Sequence, residues 1–201
     1  MKMTGNLVRG ILTSVLLAGL FLSPAYGLSD AFKANIYSPK NLKPTDSVLK
    51  VKVGDKAPDF RLPSLSGETL SLTQFRGKNV VISFVPAAWT PVCSDQWPGY
   101  NIVKDIFEER NATLLGITVD NIPTLFAWTA QMGDLWFPVL SDFWPHGKTA
   151  DSFGVLRSDG TAERAIFVID SRGIIRYIAI HDINLRPPLE SIVKALDALV
   201  P

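Results

Sequence analysis

Apolar residues fall along this chain in short blocks whose spacing alternates between continuous runs and helical repeats. Val80 to Phe84 is a nearly unbroken apolar run, the pattern of a strand covered on both faces. After it, Tyr100, Val103, Ile106 and Phe107 recur at three- and four-residue spacing. Lys104, Asp105, Glu108 and Glu109 fall on the other side, which predicts one helix with a single buried face. Thr113 to Val119 reads as strand, Asn121 to Met132 as helix, Phe137 to Leu140 as a short extended piece and Lys148 to Phe153 as a helical turn. Ala165 to Asp170 and Gly173 to Ala179 flank Ser171-Arg172 as the two arms of a hairpin. A last helix starts near Pro187-Pro188, with Leu189, Ile192, Val193, Leu196 and Leu199 toward the core. The order βαβ, α, ββα predicts an α/β fold with a central mixed β-sheet flanked by helices.

The first residues follow a different pattern. Lys2 and Arg9 precede an apolar run from Ile11 to Leu22, and Ala25-Tyr26-Gly27 places small residues two apart. This predicts a signal peptide over residues 1–27, cut after Gly27, and an exported protein of the bacterial periplasm or extracellular space. The run is shorter than the ~20 residues of a membrane-spanning helix, so an uncleaved anchor is the lesser alternative. Residues 28–50 are mixed and polar, with Pro39 and Pro44, and read as an N-terminal extension of unassigned role. The domain proper, residues 51–201, opens at Val51-Lys52-Val53-Gly54 and continues through an extended Ala57-to-Leu62 segment, because a residue before proline avoids helix. Ser66-Gly67-Glu68 turns into Thr69 to Leu72.

Composition narrows the function classes. With 47% apolar residues the chain can bury one sizeable core. The formal net charge of +1 includes Lys2 and Arg9, so the exported part is near neutral and lacks the concentrated basic surface a nucleic-acid binder needs. The two histidines, His146 and His181, stand far apart without an evident third ligand, so neither a metal nor another cofactor is expected. Asn111-Ala112-Thr113 fits a glycosylation acceptor, which is informative only in a cell with that machinery.

There is one cysteine, Cys93, and its surroundings point to chemistry. The Val80–Phe84 strand ends in Val85-Pro86-Ala87-Ala88-Trp89, and Thr90-Pro91 then reads as an N-cap and first helical position. Cys93 falls in the first turn, where unpaired N–H groups and the helix dipole favour a thiolate over a thiol. A free cysteine is often merely a small buried hydrophobe, but the strand, turn and cap argue for a nucleophile. A lone cysteine in an exported chain also excludes an internal disulfide and dithiol exchange.

Pro86, Thr90 and Cys93 match the Pro-x-x-x-Thr-x-x-Cys signature of peroxiredoxins, the alkyl hydroperoxide reductase and thiol-specific antioxidant superfamily. Gly54 to Phe60 resembles the family's opening segment, and Arg164 to Asp170 the strand carrying its active-site arginine. Phe137 to Gly147 resembles the one-cysteine, alkyl hydroperoxide reductase E-type branch. The resemblance spans about residues 51–199 and implies a thioredoxin-like fold.

The resemblance also implies a thiol peroxidase. Cys93 would attack the terminal oxygen of a hydroperoxide, hydrogen peroxide or organic, and become a sulfenic acid. Thr90 would donate its hydroxyl to the thiolate or accept a bond from the peroxide, alongside its cap role. Arg164 would favour the thiolate and stabilise charge on the leaving oxygen. Pro86 would shield the cysteine by shape. Without a second cysteine, an external thiol must reduce the sulfenic acid: a small thiol, or a thioredoxin- or glutaredoxin-like protein. The family resemblance also favours a homodimer, with Trp89 and Trp97 as candidates for a subunit interface. Two departures from the commoner pattern stand out, Trp89 in place of phenylalanine and Gln96 in place of glutamate. The alternative from another class is a non-enzymatic redox sensor or partner-binding module on the same fold, using Cys93 for mixed disulfides.

Overall fold

The computed structural model describes residues 29–199, so the expected signal over 1–27 lies outside the described residues. A five-stranded sheet organises the chain. Its strands are β3 (Asn79–Phe84), β4 (Ala112–Thr118), β5 (Val139–Ser141), β6 (Arg164–Ile169) and β7 (Ile175–His181). A two-stranded antiparallel ribbon, β1 (Arg61–Pro63) and β2 (Thr69–Ser71), precedes them around the Ser66-Gly67-Glu68 turn. The sheet order is β5-β4-β3-β6-β7, with β3, β4 and β5 parallel and β6 antiparallel to both β3 and β7. The helices are α1 (Asp30–Ala34), α2 (Pro91–Asn101), α3 (Lys104–Glu108), α4 (Ile122–Thr129), α5 (Lys148–Phe153) and α6 (Leu189–Asp197). The expected α/β architecture with a mixed sheet is therefore what the chain forms.

The apolar runs become central strands because successive side chains point to opposite faces and both faces are covered. Val81, Leu114, Ile166 and Val168 enter one core with Trp97, Tyr100, Trp128, Ile192 and Leu196. Val80, Ile82, Phe84, Leu115, Ile117 and Phe167 enter the other with Phe60 and Phe153.

The helix expected to run on through Phe107 is instead broken. α2 ends at Asn101, and Val103 leaves helical geometry at φ −119°, ψ 25° before α3 begins. Pro98 has no N–H to donate to the preceding turn, and Gly99 beside it weakens helix propensity further. The loop before β5 then takes over the loosened end. Trp136 Nε1 donates to the Tyr100 carbonyl at 3.0 Å, and Asn101 Nδ2 donates to the Asp134 carbonyl at 3.0 Å. Tyr100 and Phe107 remain buried as expected, while Val103 and Ile106 are only half-buried.

The polar pattern of residues 28–50 assigned them no packing role, yet the described part, residues 29–50, lies against the domain. The Ser29 hydroxyl caps α1 by accepting from the Phe32 N–H at 3.1 Å, and Phe32 reaches the first core against Trp89, ring centroids 5.5 Å apart. The segment's far end is equally fixed. Gly154, at φ 75°, lets the backbone of residues 48–50 come so close that a Cβ there would stand 2.2 Å from the Lys50 nitrogen.

A second glycine tests the packing beneath α2. A Cβ on Gly116 of β4 would stand 2.8 Å from Cζ2 of Trp97, which has no free side: Trp128 lies 4.9 Å and Phe137 6.1 Å away between ring centroids. Gly116→Ala is therefore expected to destabilise the fold by about 1–3 kcal/mol in chemical denaturation. An unchanged midpoint would show that Trp97 is free to move.

Candidate active site

Topology explains how residues 71 positions apart meet. Phe84 at the end of β3 pairs with Ala165 near the start of β6, so the chain leaving β3 emerges beside Arg164. The turn over residues 85–89 reverses sharply, with Trp89 at φ +60°, a left-handed conformation that costs a bulky residue free energy and must be held by its surroundings. Thr90 follows as N-cap, at φ −105° and ψ 152°, and Pro91 opens α2. Cys93 is thus the third helical residue, in the first turn as expected.

The four expected residues come together here. Arg164 is 1% exposed, and its Nη2 donates to Sγ of Cys93 at 3.5 Å. The guanidinium is gripped on both sides. Its Nε and Nη2 donate to the Ile183 carbonyl at 3.2 and 3.0 Å, and its Nη1 donates to Oε1 of Gln96 at 2.5 Å. Among the described residues no carboxylate pairs with it, so its charge is not cancelled beside the sulfur. Pro86 and Thr90 line a cleft that has Arg164 at its base, while Cys93 itself is fully buried behind them. Pro86, also buried, forms part of the cleft lining.

Of the two roles expected of the Thr90 hydroxyl, donation to the sulfur is not seen: it donates to the Ala87 carbonyl at 2.8 Å and accepts from no helix N–H. The tight bend at Trp89 brings that carbonyl within reach, and the only hydroxyl proton goes there. Two consequences follow: the hydroxyl oxygen keeps lone pairs free to accept, and the first-turn N–H groups of Val92 and Cys93 are left without a side-chain cap.

Gln96, noted in the sequence only as a departure, is part of the site. Fully buried, it donates through Nε2 to Ser83 Oγ at 3.1 Å and to the Tyr100 hydroxyl at 3.0 Å, which fixes Oε1 toward Arg164. Burial in turn pushes the Tyr100 hydroxyl above its ordinary value, so it stays neutral. The Gln96 spacing, one helical turn beyond Cys93, was a signal available in the sequence. The Ile183 carbonyl was not, because any residue supplies one.

Around this centre, His181 pairs across the β6–β7 ladder with Arg164. Burial first, and the Arg164 charge second, hold its imidazole below the usual histidine range, so it adds no second positive charge. Of the two tryptophans expected at an interface, Trp97 is instead entirely inside the core, while Trp89 is half-buried against Phe32. Among the described residues, no group of three or more His, Cys, Asp or Glu side chains is arranged to hold a metal.

The comparisons with known proteins agree with this geometry. The family model described as AhpC/TSA matches residues 53–178. Alkyl hydroperoxide reductase E of Mycobacterium tuberculosis is 39% identical over 129 residues, covering 63% of this chain and 84% of that protein. Peroxiredoxin 2 of Caldanaerobacter subterraneus is 31% identical over 156 residues, 74% of this chain and 69% of its own. Among solved structures, Mycobacterium tuberculosis AhpC superposes with a TM-score of 0.68 at 28% identity, covering 74% of this chain and 93% of that one. Reduced Plasmodium vivax 2-Cys peroxiredoxin gives 0.67 at 30% identity, covering 73% and 80%. With its thioredoxin-like sheet and a cysteine held against a buried arginine, the chain belongs to the AhpC/TSA family and is a peroxiredoxin-type thiol peroxidase.

Proposed function

We propose that this protein reduces hydroperoxides by a one-cysteine mechanism at Cys93, with an external thiol closing the cycle. The observation that carries the reading is the 3.5 Å contact between Arg164 Nη2 and Sγ in a chain with no second cysteine. A hydroperoxide enters the cleft with its O–H toward the Thr90 hydroxyl oxygen, which has lone pairs free to accept. The Cys93 thiolate attacks the terminal oxygen; the S–O bond forms as the O–O bond breaks. Sulfur is oxidised by two electrons to a sulfenic acid, and the peroxide leaves as alkoxide or hydroxide, protonated to alcohol or water. Arg164 stabilises the negative charge as it passes from sulfur to the leaving oxygen, since the guanidinium is already in place and desolvated.

Restoring the thiol needs two electrons from outside the chain. One external thiol condenses with the sulfenic acid, releasing water and leaving a mixed disulfide, and a second thiol displaces Cys93. A small thiol or a thioredoxin- or glutaredoxin-like protein meets this need. The sequence pattern of residues 1–27, basic residues before an apolar run and small residues at 25 and 27, supports export to the periplasm or extracellular space, with residues 28–201 as the mature chain. The exposed Phe143 and Trp144 side chains, at 47% and 80%, together with family membership, support a homodimer.

Stopped-flow tryptophan fluorescence tests the peroxidase reading. Reduced protein mixed with hydrogen peroxide is expected to show fast bimolecular oxidation, abolished by Cys93→Ser and slowed roughly a hundredfold or more by Arg164→Ala. A wild-type rate no greater than that of a free thiolate, unchanged by Arg164→Ala, would sink it. Gln96 gives a separate prediction. Gln96→Leu removes one grip on Arg164 and leaves the Ser83 and Tyr100 hydroxyls without their donor, so oxidation is expected to slow about tenfold or more. An unaltered rate in the folded variant would mean that Ile183 alone positions the guanidinium. For recycling, each turnover should consume two thiols per peroxide, and mass spectrometry should trap a one-to-one mixed disulfide on Cys93. Turnover without added thiol would contradict the one-cysteine cycle.

A further inference from the structure

The wall of the peroxide cleft opposite α2 is not built by the family domain. The family match begins at residue 53, yet Pro39 and Leu42, both half-buried, line the same cleft of about 220 Å³ as Pro86, Thr90, Val92 and Arg164. Residues 36–46 reach it as a strap fixed at both ends. At one end the Tyr37 N–H donates to the Trp89 carbonyl at 2.8 Å, next to the Phe32 ring, so the strap braces the left-handed bend before Thr90. At the other, Asp46 donates its N–H to Oε1 of buried Glu163 at 2.5 Å and accepts from the Ser158 N–H at 3.0 Å. Lys43 first, then Ser158, hold the Asp46 carboxyl below the usual carboxylate range, so this anchor is charged at neutral pH.

The middle of the strap is held by the loop after β7, the loop that also grips Arg164. Asn184 clasps Leu42 from both sides, Nδ2 donating to its carbonyl at 3.0 Å and Oδ1 accepting from its N–H at 3.3 Å. The neighbouring Ile183 N–H donates to the Pro44 carbonyl at 3.1 Å, while the Ile183 carbonyl receives Arg164. One peptide loop thus aligns the cleft wall with the guanidinium.

We propose that the strap is a substrate-specificity wall: the cleft takes an organic hydroperoxide with a compact apolar group, seated between Pro39 and Leu42 on one side and Pro86 and Val92 on the other, and Asn184 is the positioning residue that fixes the wall. The –OOH then lies at the Thr90 and Arg164 end, in front of Cys93. The inference rests on the peroxidase reading of Cys93. Apolar contacts favour the alkyl group and do nothing for hydrogen peroxide, so the wall acts on the preference between the two.

The test measures second-order rate constants for Cys93 oxidation by cumene hydroperoxide and by hydrogen peroxide, in wild type, Leu42→Ala and Asn184→Ala. The ratio of the two constants is expected to favour cumene hydroperoxide in wild type and to fall roughly tenfold in each variant. In thiol-coupled turnover, the loss should appear in KM for cumene hydroperoxide and not in kcat. A merely structural role would slow both peroxides alike; an unchanged ratio in the folded variants overturns the inference while leaving the peroxidase reading intact. A wild type that reacts with neither peroxide overturns both. The two substitutions act on different sides of the clasp, so misfolding of one leaves the other to decide.

Discussion

A buried, carboxylate-free arginine sets the terms for this site. Removing a guanidinium from water costs several kcal/mol unless its donors are satisfied, and a charge left without a counterion remains costly. Arg164 gives three of its N–H donors to the Ile183 carbonyl and the Gln96 amide oxygen, both neutral. The remaining partner is the sulfur of Cys93. Because no carboxylate among the described residues cancels it, the charge interacts with whatever negative charge appears at Sγ, and the low dielectric around it amplifies that interaction. A glutamate in place of Gln96 would accept the same hydrogen bond but also neutralise part of the field.

The fold follows from the need to hold that pair. β3 and β6 are adjacent and antiparallel, which brings the end of one beside the start of the other. Every residue of both strands is buried, so the frame carrying the pair belongs to the most rigid part of the protein. The reactive turn itself is less regular. It contains a left-handed Trp89, and a helix whose interior proline sits five residues past the cysteine. The strain there is contained by the Phe32 ring packed on Trp89 and by the Tyr37 N–H donated to the Trp89 carbonyl.

How much of this the sequence disclosed depends on how local each feature is. The position of Cys93 in a first helical turn was legible because strand, turn, cap and proline lie within fifteen residues. The β6–β7 hairpin was legible for the same reason. Arg164 came only through resemblance to a family, since an arginine at a strand start has no local signature. The break after Asn101 was hidden by an apolar spacing that continues across it; what ended α2 was Pro98 together with a loop more than thirty residues away. Which acceptor takes the single Thr90 hydroxyl proton was not legible, because the sequence does not show that the Ala87 carbonyl is nearest. The packing of residues 29–50 depends on backbone groups of Lys43, Leu42 and Pro44, which polar composition does not reveal.

Glu163 and Arg164 show how one stretch of chain separates structural from chemical charge. They are consecutive and almost wholly inaccessible, 0% and 1% exposed, and successive residues entering a strand point to opposite sides. Glu163 meets Arg157 at 2.7 Å and holds the strap through Asp46, so its charge is consumed within a closed pair. Arg164 meets only neutral acceptors and the thiol. Had the carboxylate reached Arg164, the pair would have been self-sufficient and the sulfur would have faced a neutralised guanidinium. Because Arg157 occupies Glu163 instead, the positive charge on the other face is left for the cysteine, and the strap that closes the cleft is tied to the same two-residue step.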